Sequence, residues 1–201
     1  MVLGATGITS SRLGLGMAWW PRDVSRGVVI EVLETALEVG IRHFDLAPLY
    51  ESEEIIGDTL RAMGRPSDLV VVTKACAYWD FDLGIEYYAY SRDAVRRSVE
   101  RSLARLGVDR IDIVHVHDTR AADLPYVFDE RGALGTLEEL KRDGVVGSIG
   151  MATKDLSCLM AAVDSGRFDV IQTFHTNTIL NRTARDRLYP AARDRGVVVL
   201  D

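Results

Sequence analysis

The sequence predicts an α/β protein of the (β/α)8 barrel class, with about seven of the strands inside its 201 residues. Apolar clusters recur at roughly 30-residue intervals, each followed by a segment of helical period, which is the length of one β/α unit. Several clusters are unbroken β-branched runs, Val70-Val71-Val72 and Val197-Val198-Val199 among them, as expected of strands buried on both faces of a parallel sheet. Gly40, Gly107, Gly144, Gly166 and Gly196 each fall after a helical segment and before a strand, where a left-handed residue closes a helix at low cost.

In chain order, the first strand is expected over residues 12–17, a helix over 28–39 and the second strand over 42–46. A helix over 53–63 leads to the β-branched third strand, 69–74, and a long helix follows over 92–106. In that helix Val95, Val99, Leu103 and Leu106 form one stripe, and Arg96, Arg97, Glu100 and Arg101 fall off it. The remaining strands are expected over 111–117, 145–150, 168–173 and 197–200, with helices over 133–142, 154–165 and 183–193. A doubly wound sheet would need a glycine-rich turn after its first strand. The nearest match, Gly14-Leu15-Gly16-Met17-Ala18-Trp19, places an indole where the third glycine must allow close packing. A barrel in a single domain, 1–201, is the better fit, although a complete one typically takes about 250 residues.

The composition, 47% hydrophobic and 27% charged, is that of an ordinary globular chain. A net charge of −6 without a basic patch argues against a nucleic-acid partner. No apolar run approaches the roughly 20 residues a bilayer span requires, and no leader pattern opens the chain, so a cytoplasmic location and no membrane partner are expected. Cys76 and Cys158 are too isolated for a metal or redox motif and are expected to be free thiols.

Barrel chemistry sits at the carboxyl ends of the strands. The second strand ends at Asp45, with Tyr50 on the loop beyond; the third ends at Lys74; the fourth ends at His117. A phenol is a poor acid at neutral pH, and an adjacent ammonium would make it a better one. Lys74 is expected to supply that charge and Asp45 to hold Lys74, while His117 orients a carbonyl oxygen. Together they suit a proton relay at an oxygen whose carbon exchanges a hydride with a cofactor.

The segments Gly40 to Tyr50, Val71-Val72-Thr73-Lys74, Ser102 to His117 and Gly144 to Gly150, together with Gln172, resemble the aldo-keto reductases in order and spacing. That resemblance implies a catalytic tetrad of Asp45, Tyr50, Lys74 and His117, with Tyr50 the proton donor, and NADP or NAD as cofactor. It implies cofactor contacts from Asp45, from Gln172 and from Thr153, which stands with Ala152 where many members carry Ser-Asn. The stretch from Tyr87 and the ending His117-Asp118 are most similar to the aldose and fucose 1-dehydrogenase branch, in which a tyrosine phenolate would serve as base. The expected function is therefore interconversion of an aldehyde, ketone or aldose with its alcohol or lactone, on a small carbonyl or sugar substrate. The family's adenosine-phosphate and pyrophosphate loops correspond to sequence past Asp201, so weak dinucleotide binding by these residues alone is expected.

Other readings compete with these. His43 is expected to point away from Asp45's side and to be structural; His115, one layer below His117, is expected to be a core histidine. Trp19, Trp20, Tyr78 and Trp79 lie on loops at the mouth and are candidates for walling a substrate pocket, with plain packing as the alternative. At the level of function, one rival is a catalytically inactive or truncated relative with a binding or regulatory role. A more remote rival is a metal-dependent barrel hydrolase using His115 and His117, joined by Lys74, Asp45 and His175.

Overall fold

The computed structural model describes residues 1–18, 24–80 and 82–201. Seven parallel strands form one curled sheet: β1 (Gly14–Gly16), β2 (His43–Asp45), β3 (Val70–Ala75), β6 (Ile111–His117), β7 (Val146–Ala152), β8 (Val170–Gln172) and β9 (Val198–Leu200). Each is paired to the next in chain order. A doubly wound sheet reverses its strand order at a switch point; here there is no reversal, which is barrel connectivity.

Helices α1 (Arg26–Glu38), α2 (Glu53–Ala62), α3 (Arg92–Leu106), α5 (Ala133–Arg142), α6 (Leu156–Ser165) and α7 (Tyr189–Asp194) alternate with these strands. Their ends follow local chemistry. Ser25 caps α1 by accepting from the Val28 N–H, and Asp155 caps α6 by accepting from the Ser157 and Cys158 N–H groups. Gly107 closes α3 at φ +63°, as its place in the sequence suggests. Val95, Val99 and Leu106 are buried from α3 as the stripe predicts.

Three features depart from expectation. An antiparallel hairpin, β4 (Ala77–Asp80) with β5 (Ile85–Tyr88), rises from the end of β3, and a short helix α4 (Leu124–Phe128) follows β6. The helix expected over 183–193 is a π-helical turn, Ala184–Leu188, running into α7. Pro190 at the start of α7 has no N–H to give back to the preceding turn, and a wide turn is the local accommodation.

Two apolar layers result. Outside the sheet, α1, α2, α3, α5, α6 and α7 pack against the strand faces. Inside the curl, Val70, Val72, Ile113 and Val170 are capped by Leu3, from an N-terminal segment whose Val2 and Thr9 form a β-bridge. The interior is thus sealed at the amino ends of the strands, and polar side chains gather at the carboxyl ends.

Candidate active site

Tyr50 is set by a single 3-10 turn, Pro48–Tyr50, directly after β2. The residue after it, Glu51, has φ +56°. This left-handed position explains why a glycine would be comfortable there. The turn swings the phenol back over the strand ends, and its hydroxyl stops 3.3 Å from His117 Nε2, with the two rings edge to face.

Beneath that contact lies a buried ion pair. Lys74, 3% exposed, donates from Nζ to Asp45 Oδ1 at 2.6 Å and to the Leu46 carbonyl at 2.9 Å. The second carboxylate oxygen of Asp45 accepts from Gln172 Nε2 at 3.0 Å. Asp45 therefore ties β3 to β8 across the mouth. Lys74 Nζ stands 4.8 Å from the centroid of the Tyr50 ring, so Asp45, Tyr50, Lys74, His117 and Gln172 form one constellation.

The electrostatics correct one expectation. Lys74 lies over the ring of Tyr50, and burial raises the pKa of the phenol well above its usual value, with the Asp45 and Asp118 carboxylates adding to the rise. At rest the hydroxyl is held protonated. Burial also lowers Lys74, against the opposing pull of Asp45. His117 is driven well below the usual histidine range by burial and by Lys74, so its ring is neutral.

Other candidate residues take defined places. Thr153 donates its only hydroxyl proton to the Thr119 carbonyl at 3.0 Å and accepts from the Asp155 N–H at 3.1 Å; it serves the β7–α6 turn and has no donor left to offer. Gln172 Oε1 is buried without a partner among the described residues. His43 shares a strand face with Asp45, contrary to expectation, because residues two apart in a strand point the same way. It sits below Asp45 with Nδ1 3.1 Å from Ser10 Oγ, which leaves it a structural role. His115 is completely buried, pressed against the Gly150 backbone, and its pKa is lowered to about 3, first by burial and then by Lys74.

Tyr78 and Trp79 from the hairpin line a cavity of about 670 Å³ together with Tyr50, Tyr87, Arg97 and Arg101. Trp19 and Trp20 lie outside the described residues. The arginines and Tyr87 escaped the sequence reading because α3 reads as a solvated face, and nothing local announces the hairpin that covers it. Cys76 and Cys158 are both buried and free. Among the described residues no group of three or more His, Cys, Asp or Glu side chains could hold a metal ion, so the hydrolase reading finds no ligand set. No described helix is long and apolar enough to cross a membrane.

Residues 12–200 match the Aldo/keto reductase family. The chain belongs to that family. It is 33% identical over 215 residues to the NADH-specific methylglyoxal reductase of Escherichia coli, covering 98% of this chain and 64% of the reductase. To the D-threo-aldose 1-dehydrogenase of a Pseudomonas species it is 30% identical over 221 residues, covering 98% of this chain and 66% of the relative. The holo form of an aldo-keto reductase from Bacillus halodurans superposes with a TM-score of 0.83 at 25% identity, over 100% of this chain and 64% of that one. The chain thus spans just under two thirds of the length of these aldo-keto reductases.

Proposed function

We propose that this chain carries the catalytic face of an NAD(P)-dependent oxidoreductase that interconverts an aldehyde, ketone or aldose with its alcohol or lactone. The observation that carries the reading is the Tyr50–His117 contact of 3.3 Å standing over the buried Lys74–Asp45 pair. When bound, the nicotinamide supplies or accepts the hydride. The residues present fit its carboxamide end, since Gln172 Oε1, beside Asp45, is a buried acceptor without a partner among the described residues.

The remaining work falls to side chains. A carbonyl oxygen entering between the Tyr50 hydroxyl and the His117 ring is oriented by both. Tyr50 then delivers its proton to that oxygen, and the ammonium over its ring steadies the phenolate left behind. In the reductive direction Tyr50 starts as the neutral phenol, the form that burial and the Asp45 and Asp118 charges favour. In the oxidative direction proposed for an aldose, the same phenol would first have to lose its proton, against the Asp45 and Asp118 charges.

Tyr50→Phe tests the assignment. Consumption of reduced nicotinamide by the wild-type chain, with methylglyoxal and with aldoses offered as substrates, is expected to fall about 10²–10⁴-fold in the variant, the range for a lost general acid. Melting temperature is expected to stay nearly unchanged. Equal activity in the two proteins removes Tyr50 from the mechanism.

A further inference from the structure

His117 ends β6, and in an extended strand the next side chain would point to the opposite face. Asp118 does not. Its φ is +45°, a left-handed conformation that a residue with a Cβ adopts at an energetic cost. The Asp118 N–H still closes the sheet ladder, donating to the Ala152 carbonyl at 2.8 Å. The twist therefore re-aims the side chain without opening the sheet. Its result is one contact: Asp118 Oδ2 lies 3.6 Å from His117 Nε2.

His117 Nε2 thus faces two oxygen atoms, the Tyr50 hydroxyl at 3.3 Å and the Asp118 carboxylate. Its Nδ1 is buried and faces no partner among the described residues. A neutral imidazole has a single N–H. On Nδ1 that N–H would be buried without an acceptor, and the lone pair on Nε2 would confront a carboxylate. On Nε2 the N–H meets the carboxylate, and the buried Nδ1 is left as a bare acceptor.

We propose that Asp118 is a positioning residue that holds the proton of His117 on Nε2 and so sets the direction of the Tyr50–His117 hydrogen bond. With the carboxylate in place the imidazole donates and the phenol oxygen accepts. Without it the pair can reverse, because a phenol donates to a bare imidazole nitrogen equally well. The reversed pair ties up the phenol's proton in the ring. The enforced pair leaves that proton free to point into the mouth, where an incoming oxygen would take it. The tautomer stands on geometry alone; its consequence for proton delivery rests on the reading of Tyr50 as the acid.

The test is 15N NMR of the histidine rings in the full chain near pH 8, where carboxylates are ionised, with His117 assigned by loss of its signals in His117→Gln. Asp118→Asn and Asp118→Gly are compared with wild type. Both tolerate the left-handed turn, so the fold is retained. In wild type, Nε2 is expected to show the pyrrole-type shift and Nδ1 the pyridine-type shift. In Asp118→Gly the ratio of the two tautomers should move toward the Nδ1–H form by roughly tenfold, the order expected when a facing charge is withdrawn, and Asp118→Asn should fall between. A purely structural role for Asp118 would alter melting without reversing the shift pattern of one ring. A wild-type proton on Nδ1, or an unchanged ratio in both variants, overturns the proposal. Turnover measured on the same samples separates the two readings. A Tyr50→Phe variant as active as wild type, with the expected tautomer, removes the Tyr50 mechanism and leaves Asp118's role standing, whereas a large loss in Tyr50→Phe with an unmoved tautomer in the Asp118 variants does the reverse.

Discussion

Lys74 spends two of its three ammonium hydrogens on Asp45 and Leu46 in a site that is almost completely dry. Such a pair adds little net stability, yet losing one partner strands the other charge. Lys74→Met is therefore expected to lower unfolding free energy by about 3–5 kcal/mol, as read from urea midpoints. The double variant Lys74→Met with Asp45→Asn should recover much of that loss because no charge is left unpaired, while the proposed turnover stays absent. Recovery of turnover with stability would show that the pair serves only the fold. The same residue carries a lesson about phenol acidity. Adjacency to a cation is a local fact, but the balance at Tyr50 is dominated by burial and by two carboxylates.

At the scale of elements, the approach of α2 to α3 depends on a missing side chain. A Cβ on Gly57 would overlap the Arg105 carbonyl and the backbone of Leu106. The contact also carries Glu53, which is 1% exposed and accepts from Thr73 at 2.6 Å and from Arg105 at 3.2 Å. Gly57→Ala is expected to cost about 1–3 kcal/mol by pushing the helices apart, despite alanine's better helix propensity. A thermal melt checks the sign; a stabilised variant would mean that the helices yield freely. The hairpin β4–β5 belongs to this scale too. Tyr78 and Trp79 read as loop aromatics in sequence, and only the pairing of residues 77–80 with 85–88 explains why they reach the cavity of Tyr50.

For the molecule as a whole, its histidines make acid the point of weakness. His43, His115 and His117 all have pKa values lowered by burial, His115 to about 3. Between the unfolded value near 6.5 and the lowered native value, the unfolded chain binds protons that the native state refuses. Stability is then complete above about pH 6.5 and falls as pH drops, by about 1.4 kcal/mol per pH unit for each histidine. Denaturant midpoints measured from about pH 7 to pH 4 should decline steeply, and His115→Leu should flatten the slope by close to one proton's worth. An unchanged slope in that variant would place the acid sensitivity elsewhere.

Much of this was legible in the chain itself. The β/α alternation, five of the helices and the strand ends bearing Asp45, Lys74 and His117 follow from hydrophobic period and glycine placement, which are properties of neighbours in sequence. What only the folded chain decided depends on groups far apart in sequence. Gln172 meets Asp45 across 127 residues, Thr153 gives its proton to Thr119, and burial raises the pKa of the Tyr50 phenol where a neighbouring lysine alone would lower it. A hydrogen-bond partner and a pKa are set by distance in space and exclusion of water, and neither quantity is written in the spacing of residues along a chain.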